Sequence, residues 1–150
     1  MKKVSCDVYH FGSTHGPRGR IIKGFVPEYA TSGVAAADIR LPEDVEIPPR
    51  STVVVPLRIG FDIPDGWCVK MYPRSSLLPK YGIISPVSII DRDYSSQEVH
   101  AILHNTLDTP KCLQRGDRVL QVMLEKVQEV SEWTRSEKVR EGGLGSTGEK

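Results

Sequence analysis

The sequence predicts an all-β domain, built as a barrel or a sandwich. Three observations carry that expectation. Thirteen Gly and eleven Pro cut the chain into short runs, and the runs between them favour β-branched and aromatic residues. No segment sustains an apolar stripe at the 3.6-residue period over three helical turns. The chain has 150 residues, 39% of them hydrophobic, which suits one core and one domain.

Taken in order, residues 3–9 (KVSCDVY) alternate loosely, and residues 52–59 (TVVVPLRI) form a β-branched apolar run. Residues 67–72 (WCVKMY) alternate between two faces, after a turn at Pro64-Asp65-Gly66. Residues 83–90 (IISPVSII) are apolar but broken by Pro86. Residues 98–103 (EVHAIL) and 119–130 (VLQVMLEKVQEV) complete the strands. The best helix candidate is short, over residues 75–81, and Pro79 limits it. Residues 10–24 are polar, basic and Gly-rich and read as a loop. Residues 131–150 carry many charges, one aromatic (Trp133) and a glycine-rich end. The expected organisation is a β domain over residues 1–130 and a mobile arm over residues 131–150.

Twenty Lys+Arg against nineteen Asp+Glu leave a net charge of +1, which speaks against a nucleic-acid partner. Three Cys in no CxxC spacing disfavour a disulfide framework or a Cys-based zinc site and suit a reducing compartment. No apolar run approaches a membrane span, and the start MKKVSCDVYH lacks a signal-peptide core. The expectation is a soluble, cytoplasmic domain without a membrane partner.

Five segments could carry chemistry, and each has a plainer reading. Gly142-Gly143-Leu144-Gly145-Ser146-Thr147-Gly148 can curl its amides and hydroxyls around a phosphate, or be a flexible tail. Tyr72-Pro73-Arg74-Ser75-Ser76-Leu77 offers a forked cation and a hydroxyl to an anion, or a Ser cap beside a surface Arg. In Ile89-Ile90-Asp91-Arg92-Asp93-Tyr94 two carboxylates would share one face of an extended chain. They could orient a water or metal, with Tyr94 as a platform for a ring, or simply make a solvated turn. Gly116-Asp117 reads as a turn, from which Gln121 begins the returning strand. Asp38, after a run of small residues, could be a buried ion-pair partner for Arg118 or Arg74. His100 and His104 would point to one face of a strand, without a third metal ligand at useful spacing.

The order of these five segments, from Tyr29 to Gly148, resembles the trimeric dUTPase family, and all five family motifs can be placed. The resemblance implies a jelly-roll-type β-barrel and a homotrimer. Its active sites are shared: motifs 1, 2 and 4 come from one subunit, motif 3 from a second and the arm from a third. It implies Mg²⁺-dependent cleavage of dUTP to dUMP and pyrophosphate. By position, Asp91 matches the water-activating carboxylate, and Tyr94 the ring that packs under deoxyribose and excludes a 2′-hydroxyl. Arg74 and Ser75 match the phosphate-gripping motif, with Ser76 and Ile90 also expected on the substrate. Gln121 matches a residue near the α-phosphate and the metal's waters. Asp38 matches an acid at the metal's hydration shell, so no direct protein ligand to the metal is expected. Gly145, Ser146 and Thr147 match the tail over the terminal phosphate.

The chain departs from the family pattern around the base and the lid. Leu144 stands where Phe usually stacks over uracil, which would forgo about 1–3 kcal/mol of stacking. Ser88 and Ser96 replace glycines, and the stretch from Tyr94 to Asn105 is one residue longer, which suggests a bulge. Arg140 lies one position closer to the glycines than usual, with Val139 in its place, and is expected within reach of the γ-phosphate. Two alternatives follow. One is a divergent dUTPase-like regulatory module that binds nucleotide. The other is a dCTP deaminase, disfavoured because residues 100–105 (HAILHN) hold no Glu.

Overall fold

The computed structural model describes residues 2–12 and 22–142. Eleven strands and one short helix appear among them. In chain order the strands are β1 (Asp7–His10), β2 (Ala37–Arg40), β3 (Val45–Ile47), β4 (Thr52–Pro56), β5 (Ile59–Asp62) and β6 (Trp67–Pro73). Helix α1 (Leu77–Tyr81) follows, then β7 (Ile83–Ile84), β8 (Ser88–Ile90), β9 (His100–Asn105), β10 (Lys111–Leu113) and β11 (Arg118–Lys126). All the strand pairs are antiparallel, and they form sheets ordered β2-β11-β6-β8, β4-β9-β7, β1-β5 and β3-β10. The fold is all-β and jelly-roll-like, although these sheets do not close into one hydrogen-bonded barrel.

Alternation places the core. In β9 the buried Ala101, Leu103 and Asn105 alternate with partly exposed His100, Ile102 and His104, as a strand with one covered face requires. Buried Asn105 is fully answered: its Nδ2 donates to the carbonyls of Ile47 (3.0 Å) and Thr109 (2.9 Å), and its Oδ1 accepts from Leu107 N (2.9 Å). A buried amide with all its groups bonded stitches the end of β9 to β3 rather than weakening the core.

Several boundaries differ from the sequence expectation. The run 52–59 splits at Leu57-Arg58, where Arg58 takes φ 60° and turns the chain into β5. Residues 83–90 become two strands around Pro86, which has no N–H for a ladder. The final strand starts at Arg118, so Gln121 sits inside it rather than at its beginning. The bulge expected after Tyr94 does not appear in the β9 ladders, whose registers are continuous. The stretch turns at Ser96, which adopts φ 67° with its amide bonded to the Phe61 carbonyl (3.1 Å). The register shift occurs instead in β11 against β2, between Arg118 and Leu120.

That turn presses against β5. A Cβ on Gly60 would meet the Gln97 carbonyl oxygen and, at 3.0 Å, the Phe11 ring. Gly60→Ala should therefore lower stability by about 1–3 kcal/mol, as overpacking of a tight contact does. Urea titration measures it; an unchanged midpoint would mean that the 95–98 turn yields freely.

Candidate active site

The chemistry-bearing side chains gather at two corners of the four-stranded sheet. The first lies where β2 and β11 meet the end of β6. Gln121 stands opposite Asp38 on one side and Tyr72 on the other. Asp38 is only 8% exposed, and a carboxylate so placed needs counter-charge. Arg74 Nε lies 3.4 Å from its Oδ1 and Arg118 Nε 3.8 Å from its Oδ2. Both cations named as candidate partners of Asp38 are thus engaged. Arg74 also donates through Nη1 to the Arg118 carbonyl (3.3 Å), and Gln121 Nε2 donates to the Pro73 carbonyl (3.3 Å).

Just beyond Arg74 the chain turns, Leu77 N bonding to the Arg74 carbonyl (3.0 Å). Ser76 holds the N-cap position of α1 but makes no side-chain cap bond. Ser75 is exposed, and neither hydroxyl has a partner among the described residues. The plainer reading of this motif, a capping serine, does not hold. The two hydroxyls stand beside the Arg74 guanidinium, which is turned onto Asp38.

The second corner follows β8. Asp91 is extended (φ −74°, ψ 156°) and leads into a 3-10 turn, Arg92–Tyr94. The two carboxylates therefore do not lie along an extended strand. The turn still brings them together, on one guanidinium: Arg140 Nη2 lies 2.8 Å from Asp91 Oδ2, and Arg140 Nε 2.7 Å from Asp93 Oδ1. Arg140 also sits 5.8 Å over the Tyr94 ring. Tyr94 is held by its hydroxyl, which donates to the Glu98 carbonyl (2.7 Å).

A cavity of about 120 Å³ opens here, lined by Ile90, Asp91, Tyr94, Arg140, Met71 and His100, among others. Ser88 also lines it. Met71 and His100 were not singled out as substrate contacts from the sequence. Only the pairing of Met71 with Ser88 across β6 and β8 brings Met71 to this wall. The neighbouring Cys68 thiol is pushed up by burial, against the Lys70 charge and with help from Glu125 and Asp91. It stays protonated at neutral pH and supplies no nucleophile.

The two corners lie at opposite ends of β6. Ile90 pairs with Val69, so Asp91 stands level with Cys68, whereas Arg74 follows the far end of the strand. Six residues of strand separate them, about 20 Å at about 3.3 Å per residue. Leu144, Gly145, Ser146 and Thr147 lie outside the described residues.

Comparison with known proteins follows this geometry. A family model described as dUTPase matches residues 23–148. The deoxyuridine 5'-triphosphate nucleotidohydrolase of Chlamydia muridarum is 37% identical over 134 residues, 83% of this chain and 91% of that one. The crystal structure of the dUTPase from Streptococcus mutans superposes with a TM-score of 0.68 at 26% identity, covering 71% of this chain and 88% of that one. A mutant dUTPase from phage phi11 of S. aureus shares the fold, with a TM-score of 0.72 at 16% identity over 90% of this chain and 98% of that one. It was solved to show the coordination of a structural Mg(II) ion.

Removing the Asp38 carboxylate leaves two cations facing each other. Asp38→Ala should cost about 1–3 kcal/mol, below the full value for a buried pair because both arginines are partly exposed. Chemical unfolding of the variant reads this directly, and wild-type stability would show that Asp38 is not what holds the corner.

Proposed function

The chain belongs to the dUTPase family and hydrolyses dUTP, and we propose that it does so at sites shared between copies, with Asp91 activating the attacking water. The observation that carries this reading is the separation along β6. One substrate cannot touch Asp91 and the Arg74–Ser75 corner of the same chain, about 20 Å away. A homotrimer brings the phosphate corner of one copy to the nucleoside wall of another.

In this reading the deoxyribose packs on Tyr94 and the base enters the cavity beyond Ile90. Leu144 covers the base by apolar contact. Arg74, Ser75 and Ser76 hold the phosphates, and the arm closes over them through Arg140, Gly145, Ser146 and Thr147 when substrate is bound. Gln121 lies near the α-phosphate. Asp91 accepts a proton as the water oxygen bonds to the α-phosphorus, the bridging P–O bond breaks, and pyrophosphate leaves.

The first corner fits Mg²⁺. Asp38 and Gln121 offer hard oxygens side by side, which would serve at the hydration shell of an ion that keeps phosphate and water ligands. When bound, Mg²⁺ neutralises phosphate charge and draws it away from the attacked phosphorus.

Neither alternative, a regulatory module or a dCTP deaminase, is favoured by the family match. Among the described residues no helix is long and apolar enough to cross a membrane. The three free cysteines support a cytoplasmic setting.

With Mg²⁺ and a panel of nucleotides, pyrophosphate should appear from dUTP, with little from UTP or dTTP; ammonia from dCTP would reverse this reading. Asp91→Asn should abolish turnover while nucleotide binding persists, and residual activity near wild type would remove Asp91 as the base. The shared site has its own test. Asp91→Asn and Arg74→Ala proteins, each inactive, are mixed and allowed to exchange subunits. Activity should recover to about a quarter of wild type, the fraction of sites that random assortment leaves intact. No recovery after demonstrated exchange would place both residues in one subunit's site.

A further inference from the structure

The sheet β4-β9-β7 covers the core with one face and leaves the other bare. Inward, Val55, Ala101, Leu103 and Ile83 are buried. Outward, Val54 stands opposite Ile102, and Thr52 and Ile84 flank His104 on either side. An antiparallel sheet with one solvated face ordinarily carries polar side chains there. In this one Val54 is 50% and Ile84 43% exposed, and the three strands hold no Lys, Arg, Asp or Glu. Two of the polar groups on the face answer each other, His104 Nδ1 lying 2.8 Å from Thr52 Oγ1. The four-stranded sheet differs, since it carries the Lys70–Glu125 ion pair (3.1 Å) on its outer side.

The bare face runs into the cavity beside Asp91. His100 and Ile102 belong to its outward row and also line that cavity, as does Ile89 from β8. Ile89 and Val87 extend the apolar surface, at 61% and 55% exposed. A contiguous apolar surface of this kind marks a docking site. Its chemistry and its position name the occupant. A face without Lys or Arg offers nothing to a phosphate backbone, and one without any fixed charge gives no ion pair to a charged peptide. In a threefold assembly equivalent side chains of the three copies meet near the axis, where like charges would repel and apolar ones do not. The shared-site reading, moreover, calls for a second copy at the mouth of this cavity, and the apolar face is continuous with that mouth.

We propose that the outer face of β4, β9 and β7, with Val87 and Ile89 at its edge, is the surface that a second copy of this chain covers. This rests on the shared-site reading and says where the copies meet: the contact is apolar, and it seats the neighbour beside the cavity that needs it. Loss of the contact therefore removes activity without touching a catalytic side chain.

The test uses the full-length protein and sedimentation equilibrium. The wild type should have the mass of three chains. Val54 and Ile84 face solvent in a single chain, so lysine at either position leaves the domain itself intact. The Val54→Lys/Ile84→Lys double variant should sediment as one chain with an unchanged circular dichroism spectrum, and its dUTP hydrolysis should fall at least a hundredfold. A variant that keeps the mass of three chains overturns this face and leaves the shared site standing. A wild type that sediments as one chain and is fully active overturns both.

A second measurement covers a variant that does not fold. Val54→Cys should react with a thiol reagent at least tenfold more slowly than native Cys112, which is exposed in the same chain. Equal rates in a protein of three-chain mass overturn the proposal. So does protection at position 54 in a protein of one-chain mass, which would assign the cover to residues 13–21 or 143–150 of the same chain.

Discussion

The length of β6 is the constraint on which the rest of the site depends. A strand is a stiff spacer with a fixed rise per residue, and this one carries the Asp91–Tyr94 corner beside its first residues and the Arg74–Ser75 corner just past its last. Its flanking pairs hold it in place: β11 runs beside it from Trp67 to Pro73, and β8 from Val69 to Met71. Neither corner can drift toward the other without unzipping a ladder. In the proposed shared site, catalysis on one nucleotide becomes a question of assembly, because each corner serves a neighbouring copy.

Within that frame two polar groups act as fixed points. Asp38 is buried between Arg74 and Arg118, so the guanidinium of Arg74 is aimed before any substrate arrives. Asn105 does the same for the opposite sheet by bonding three backbone groups of the 47–109 region. Such groups stabilise only when every atom is answered. Their value here lies in uniqueness of arrangement, which an apolar core of Ile and Leu does not supply by itself.

The fold class was legible in the sequence because its signals are local: turn residues, alternation, and the lack of a helical period. The longer strands β6, β9 and β11 were found with their ends displaced by a few residues. The strands β2, β3, β5 and β10 were missed. They are short, three or four residues each, and β2 reads as small and charged residues that become a strand only by pairing with β11. For the candidate site, residue type and order pointed to Asp38, Arg74, Ser75, Asp91, Tyr94 and Gln121, and the structure gathers them at two corners, with Arg118 paired to Asp38 as its charge suggested. What sequence could not convey was the sharing of Arg140 between Asp91 and Asp93, because a contact spanning nearly fifty residues leaves no local trace. Nor could it convey the lining of the cavity by Met71 and His100, which is set by cross-strand register.

The idle hydroxyls of Ser75 and Ser76 have a consequence for how the two halves behave. An anion arriving at these hydroxyls displaces no partner of theirs among the described residues, although Arg74 beside them is already paired with Asp38, whereas one arriving near Arg140 must compete with two carboxylates. One half of the pocket is therefore a standing receptor and the other a negotiated one. In the proposed reading the first takes up the phosphates whatever they are attached to, so discrimination among nucleobases resides in the second, and a mutation there changes which nucleotide is taken without loosening the hold on its charged end.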